Sequence, residues 1–230
     1  TLTPFVVKVT DTYGNPVGSY SVSWQIIEPG YGAILPATLT TTNSNGTTST
    51  ILTLGTKTGT YTVIAKVNEL TATFTATATY GTPTYLACIS GDSQKATVTT
   101  TLTPYVVKVT DTYGNSVVGH PVHWQIIESP STATLSTATT TTGTDGTTLS
   151  ILTLGTESGS YVVIASGPMD VSPLAQATFT ATAAYGTPTY LACISGDSQK
   201  ATVTTTLTPY VVKVTDTYGN SVVGHPVHWQ

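Results

Sequence analysis

Few residues in this chain could do chemistry. It has four histidines, two cysteines, eleven acidic residues, seven lysines and no arginine. His120 and His123 are the closest approach to a metal pair. Three positions apart on a strand they face opposite ways, so they cannot easily share one ion. The matching positions earlier in the chain hold Tyr20 and Ser23, which ligate nothing. Asp11, Asp111 and Asp216 recur in one setting and invite comparison with calcium sites. Calcium takes six to eight oxygens, often from several carboxylates. With so few acids nearby, each Asp is expected instead to accept N–H groups of its own turn, Asp-Thr-Tyr-Gly-Asn. No Ser–His–Asp or Cys–His set repeats, no carboxylate pair stands out, and no glycine-rich phosphate loop follows a strand. A Lys–Asn isopeptide would need an Asn opposite Lys108, and the closing strands contain none. The expectation is a protein that is not an enzyme and carries no cofactor or metal.

The elements that must position these residues come in copies. Tyr80–Gln125 and Tyr185–Gln230 are identical, and Thr1–Gln25 is a diverged copy of Thr101–Gln125. The repeat length is that of one small β-domain. The expected domains are 1–81, lacking a first strand; 82–186, complete; and 187–230, the opening part of a third. One cysteine per repeat, Cys88 and Cys193, excludes an intradomain disulfide. The plainer expectation is a small buried hydrophobe; the alternative is a bridge between chains.

About a quarter of the residues are threonine, and valine and tyrosine are plentiful. These types favour a pleated, half-buried surface. Within the complete repeat, Pro104–Thr110 alternates, Val122–Ile127 alternates around Trp124, and Tyr161–Ala165 and Ala177–Ala183 close the unit. Tyr85–Ser90 and Ala96–Thr99 read as one first strand broken at Gly91–Asp92. Asp145-Gly146, matched by Asn45-Gly46, reads as a type I′ hairpin. No segment carries a helical period. Seven or more short strands in such a length predict a two-sheet sandwich, and Pro-restricted linkers such as Tyr80–Pro83 predict an extended, semi-rigid array. Trp24, Trp124 and Trp229 are expected in the cores. Tyr61 and Tyr161 are expected to donate their hydroxyls to backbone, as in a tyrosine corner.

Read in order, Gly91-Asp92-Ser93-Gln94, Val107–Asp111 leading to Gly114-Asn115, Val122-His123-Trp124, Thr142 before Asp145-Gly146, and Gly159–Ala165 resemble bacterial immunoglobulin-like domains of the invasin and intimin type. The resemblance covers the whole complete repeat, and the partial ones as far as they run. It implies an all-β fold of tandem immunoglobulin-like sandwiches, used as repeated modules of surface adhesins and other exported proteins. Most such repeats are stalks, with binding confined to specialised end domains that have no counterpart here. The threonine content and the lack of arginine depart from that family.

Net charge is −4 and only 8% of residues are charged. That balance speaks against nucleic acid and against anionic membrane surfaces. No apolar run is long enough to span a bilayer. The expected setting is extracellular or cell-surface, with neighbouring repeats of the same protein as partners in a homopolymer or a long single-chain array. Continuation of one polypeptide is favoured over strand exchange between chains. The competing class is an adhesin module holding a glycan or receptor through its loops, for which the recurring turn tyrosines Tyr13, Tyr113 and Tyr218 are the candidates. They are equally candidates for contacts between domains. A third class is an accessory domain of a secreted polysaccharide-degrading enzyme. Asn45-Gly46-Thr47 is also an N-glycosylation sequon.

Overall fold

The structure is a computed structural model that describes residues 3–27, 31–167 and 176–230. It contains strands and no helix among these residues. The chain divides into two compact units. One comprises Thr1–Thr82 with Asp111–Asn115, the other Pro83–Thr110 with Ser116–Gln230.

The first unit holds β1 (Phe5–Lys8), β2 (Ser21–Ile27), β3 (Leu39–Thr41), β4 (Thr47–Thr50), β5 (Gly59–Val67) and β6 (Leu70–Ala78). One sheet runs β3-β2-β5-β6 and faces the pair β1-β4. Trp24, Val22, Tyr61 and Val63 fill the space between.

The second unit begins with β7 (Pro83–Ser90), β8 (Gln94–Thr97), β9 (Tyr105–Asp111), β10 (Pro121–Glu128), β11 (Thr134–Leu135) and β12 (Thr139–Thr141). It continues with β13 (Thr147–Ser150), β14 (Leu152–Thr153), β15 (Gly159–Ser166) and β16 (Ala177–Ala184), then β17 (Pro188–Ser195) and β18 (Val211–Asp216). One sheet runs β12-β10-β15-β16-β8 and the other β13-β9-β7, with β11-β14 a separate pair. The alternation seen in the sequence becomes burial directly. On β9, Tyr105, Val107 and Val109 are 0% exposed while Val106, Lys108 and Thr110 lie on the outer face. Ala177, Phe179, Ala181 and Ala183 turn inward from β16 in the same way. Phe179 joins the aromatic contacts of the core. Tyr105 stacks on it with centroids 4.6 Å apart and Trp124 tilts against it at 5.8 Å. The Trp124 indole N–H donates to Thr140 Oγ1 at 2.8 Å, so its polar atom is satisfied as its ring is buried.

Two turns differ from their sequence reading. Asp145-Gly146 does not close a hairpin, because β12 pairs with β10 while β13 pairs with β9. The turn carries the chain from one sheet to the other. Only Gly146 has positive φ, +77°, whereas a type I′ turn needs two such residues. Asp145 Oδ1 accepts the Thr147 N–H and hydroxyl, and Gly146 donates to the Gly143 carbonyl. At the matching turn Asn43, not Asn45, does the capping.

The second difference is at Gly91–Asp92. The flanking segments are not one broken strand: β7 joins β9, while β8 runs parallel to β16 in the opposite sheet. Gly91 (φ +95°) packs so tightly that a Cβ there would lie 2.3 Å from the Pro104 carbonyl oxygen. Gln94 then locks the crossing. Its amide donates to Gly91 O and Thr103 O, and its carbonyl oxygen accepts from Thr103 N–H and hydroxyl. Asp92 accepts from the Thr180 N–H at 2.8 Å.

Candidate functional site

The recurring pentapeptide Asp-Thr-Tyr-Gly-Asn is the site that the fold builds with most care. Asp111 Oδ1 accepts the N–H groups of Tyr113 and Asn115, both at 2.9 Å. The Asp111 N–H donates to Asn115 O, and Gly114, at φ +78°, donates to Asp111 O. This is the Asx turn that the sequence predicts. The other carboxylate oxygen looks elsewhere. Oδ2 accepts the Gly81 N–H at 2.9 Å and the Asn115 side-chain amide at 2.8 Å. Asn115 completes a clamp on a distant loop: its Nδ2 donates to Thr56 O at 2.9 Å, and its Oδ1 accepts the Thr58 N–H at 3.1 Å. Lys57 Nζ donates to Tyr113 O at 3.1 Å.

The same arrangement recurs inside the second unit. Asp216 accepts from Tyr218 N, Asn220 N, Gly186 N and Asn220 Nδ2. Asn220 binds Thr156 O and Ser158 N, each at 2.8 Å. The Tyr185 hydroxyl adds a bond to Val223 O at 2.7 Å. The first copy is the internal contrast. Asp11 makes the bonds of its own turn, to Tyr13 N, Asn15 N and Asn15 Nδ2, and both Asp11 and Asn15 are exposed. Asp111 and Asp216 are 2% and 1% exposed.

Burial opposes ionisation of Asp111 and Asp216. The donors from glycine, asparagine and tyrosine outweigh it and hold both carboxyls below the usual carboxylate value. A carboxylate committed to four N–H donors has little left for a cation. Among the described residues no three His, Cys, Asp or Glu side chains gather.

The gripped loop is itself held. The Tyr61 hydroxyl donates to Lys57 O at 2.7 Å, and the Tyr161 hydroxyl to Glu157 O at 2.7 Å. Each tyrosine thus fixes the loop whose flanking carbonyl and amide meet the asparagine of the next repeat. The sequence reading missed Thr56, Thr58, Thr156, Ser158, Gly81 and Gly186. They act through backbone atoms, so their side chains carry no trace. The one available signal was the recurring Gly-Thr-x-[Thr/Ser]-Gly-x-Tyr frame at Gly55–Tyr61 and Gly155–Tyr161.

Other singled-out residues fall as follows. Trp24 and Trp124 are buried on β2 and β10, but Trp229 lies outside any strand, belongs to neither buried cluster and is 62% exposed. Cys88 and Cys193 are exposed rather than buried, each on the outer reach of an edge strand, β7 or β17. Tyr13, Tyr113 and Tyr218 all present exposed rings. His120 is buried with Nε2 unpartnered, while His123 is exposed and bonds Thr139 Oγ1 through Nδ1. Asn45 is exposed at its turn.

No family model and no curated protein matches the sequence. Solved structures do match. The chain is similar to FdeC, a broadly conserved Escherichia coli adhesin, at 22% identity and a TM-score of 0.65, over 95% of this chain and 70% of that one. It is similar to Yersinia pseudotuberculosis InvD at 18% identity and a TM-score of 0.52, over 94% of this chain and 66% of the other. A third, invasin, described as a bacterial integrin-binding protein, matches at 18% identity and a TM-score of 0.44, over 98% of this chain and 48% of that one. The fold is an all-β, immunoglobulin-like sandwich, like that of FdeC and InvD.

Proposed function

We propose that this chain is a structural repeat region of an extracellular or cell-surface protein, in which tandem immunoglobulin-like domains form an extended stalk or fibre. The observation that carries this is the buried Asp–Asn clamp. Twice, a turn at the head of one repeat is completed only by the loop and linker of the repeat before it. Neighbours tied in this way contribute length and stiffness, as in nearest-neighbour arrays. The likeness in fold to the E. coli adhesin supports a surface setting. No reaction and no cofactor are proposed for it.

The test is electron microscopy of the native material together with its subunit mass on a denaturing gel, and protease treatment of intact cells. Linear beads of domain size, released by external protease, are the expected result. Material retained inside cells, or globular particles, would overturn the reading.

A second reading, adhesion through the repeats themselves, draws on the exposed turn tyrosines. Tyr13 is 89% exposed and Tyr113 60%. Loss of glycan or receptor binding in Tyr113→Ala, with the fold intact, would favour it. The exposed Asn45 sequon is proposed as a glycan acceptor, to be read by mass spectrometry of the native peptide.

A further inference from the structure

The edges of the complete sandwich are guarded unequally. A strand at the rim of a sheet presents one row of N–H and C=O groups outside the ladder, and shortness or a charged side chain protects it. β12 and β13 are three and four residues long. β8 has four residues and carries the exposed Lys95. β7 is different. It ends the sheet β13-β9-β7, with no strand on its other side among the described residues. It runs for eight residues, Pro83–Ser90, without a charge, and its proline stands at the first position, where the ladder tolerates it. Tyr85 and Ile89 are each 53% exposed on the outer face, with the exposed Ala87 between them.

The residues of β7 read alike in kind from both ends. Around Ala87 stand Leu86 and Cys88, then Tyr85 and Ile89, then Thr84 and Ser90. An antiparallel ladder alternates two kinds of residue pair, so a two-fold axis between identical strands sets one residue opposite its own copy. With Ala87 in that place, Tyr85 meets Ile89 of the second copy and Thr84 meets Ser90. Aromatic with β-branched and hydroxyl with hydroxyl are favoured cross-strand pairs. Leu86 meets Cys88 on the inner face. Centring on Leu86 instead sets Pro83 against Ile89, and centring on Cys88 sets Tyr85 against Gly91 and Ser90 against Leu86. We propose that β7 pairs with β7 of a second copy of this chain, antiparallel and centred on Ala87, so that two three-stranded sheets become one of six.

Charge does not oppose the pairing. The same segment in the next repeat sets Ala192 opposite Lys213, and Lys108 holds that place beside Ala87. Across the new ladder the two Lys108 residues stand three strand spacings apart, about 14 Å. That exceeds the Debye length of about 8 Å at physiological ionic strength. The pairing completes the hydrogen-bond ladder of β7 and covers Tyr85 and Ile89. Pro188–Ser195 repeats the strand residue for residue, so each such edge is another point at which chains join side by side. This goes beyond the stalk reading, and either can fail without the other: subunit mass and external protease test the stalk, whereas lateral association tests the edge.

The test is sedimentation velocity of the whole chain at rising concentration under reducing conditions, repeated with Ala87→Glu and Ala192→Glu together. Both alanines are exposed, and the carboxylate of Ala87→Glu stands beside Lys108, so the fold is kept, which circular dichroism checks. In the pair, two such carboxylates oppose each other directly. The register is read with oxidised glutathione on a chain carrying Ala87→Cys, Cys88→Ala and Cys193→Ala. Self-opposed thiols lie within disulfide reach, at about 4.5–5.5 Å between Cα atoms. Cys88 stands diagonally from its copy at roughly 7–8 Å, at or past that reach. Each cross-linking rate is divided by the same thiol's rate with a small disulfide reagent. The expected result is association that grows with concentration and is lost in the doubly substituted chain, with a covalent dimer forming faster through Ala87→Cys than in the unaltered chain. A monomer at every concentration overturns the proposal. Association that persists in the doubly substituted chain uses another face and overturns it equally. Cross-linking no faster through Ala87→Cys than in the unaltered chain overturns the register, and the proposal with it.

Discussion

Replacing Asn115 by alanine removes three side-chain hydrogen bonds at once. One runs from Nδ2 to the Asp111 carboxylate, one from Nδ2 to Thr56 O, and one from Thr58 N to Oδ1. A bond to a charged acceptor contributes about 1.5–3 kcal/mol and a neutral one about 0.5–1.5 kcal/mol, for a gross loss of roughly 2.5–6 kcal/mol. Water reaches Thr56 O and Thr58 N once the side chain is gone, because both residues lie on the surface. The net cost at the clamp is therefore set at about 2–4 kcal/mol. At tenfold per 1.4 kcal/mol, the Thr58 amide should exchange with solvent roughly 30 to 700 times faster in Asn115→Ala. The assay is native-state hydrogen exchange by NMR, with amides of the β5–β6 ladder as internal standards that should not move. Asn15→Ala is the control. Asn15 bonds only its own exposed turn, and its loss should cost under about 1 kcal/mol. An unchanged Thr58 rate, or an equal penalty in Asn15→Ala, would refute the clamp.

Three further outcomes are expected. The Tyr105 hydroxyl is buried without a partner, and burial followed by the Asp92 charge pushes its pKa up to about 12. Tyr105→Phe, which copies Phe5 and its stacking on Phe74, should stabilise the complete sandwich by about 1 kcal/mol, seen as a rise in the urea midpoint; a lower midpoint would mean the hydroxyl is satisfied. Gly146→Ala should cost more than about 1–3 kcal/mol, because φ is +77° and the new Cβ would meet Val109 O at 2.7 Å; a neutral effect in thermal unfolding would contradict the tight crossing. For pH, Asp111 and Asp216 have folded pKa values below their unfolded ones. Their contribution is complete above the unfolded carboxylate range, about pH 4, and is lost as pH falls through the folded values. Protection of the Thr58 and Ser158 amides, measured as exchange relative to the intrinsic rate at each pH, should therefore fall in acid, and Asp111→Asn should remove that dependence at Thr58; the same acid profile in Asp111→Asn would sink the assignment.

The period-2 alternation of Tyr105–Thr110 and of Val122–Ile127 was enough to define strands, their inner faces and a two-sheet sandwich, because side-chain parity on a strand follows from the backbone alone. The Asx turn at Asp111 was equally local, since the donors lie two and four residues along the chain. Three things required the tertiary structure. Asp145-Gly146 has the composition of a hairpin, but whether its flanking strands pair is decided by which sheet each one joins. Trp24, Trp124 and Trp229 share one sequence context, yet Trp24 and Trp124 lie buried on β2 and β10 while Trp229 lies outside any strand and is exposed. The clamp partners Thr56, Thr58 and Gly81 act through peptide groups common to every residue. Side-chain identity leaves such partners unmarked, and only the folding of one repeat against the next selects them.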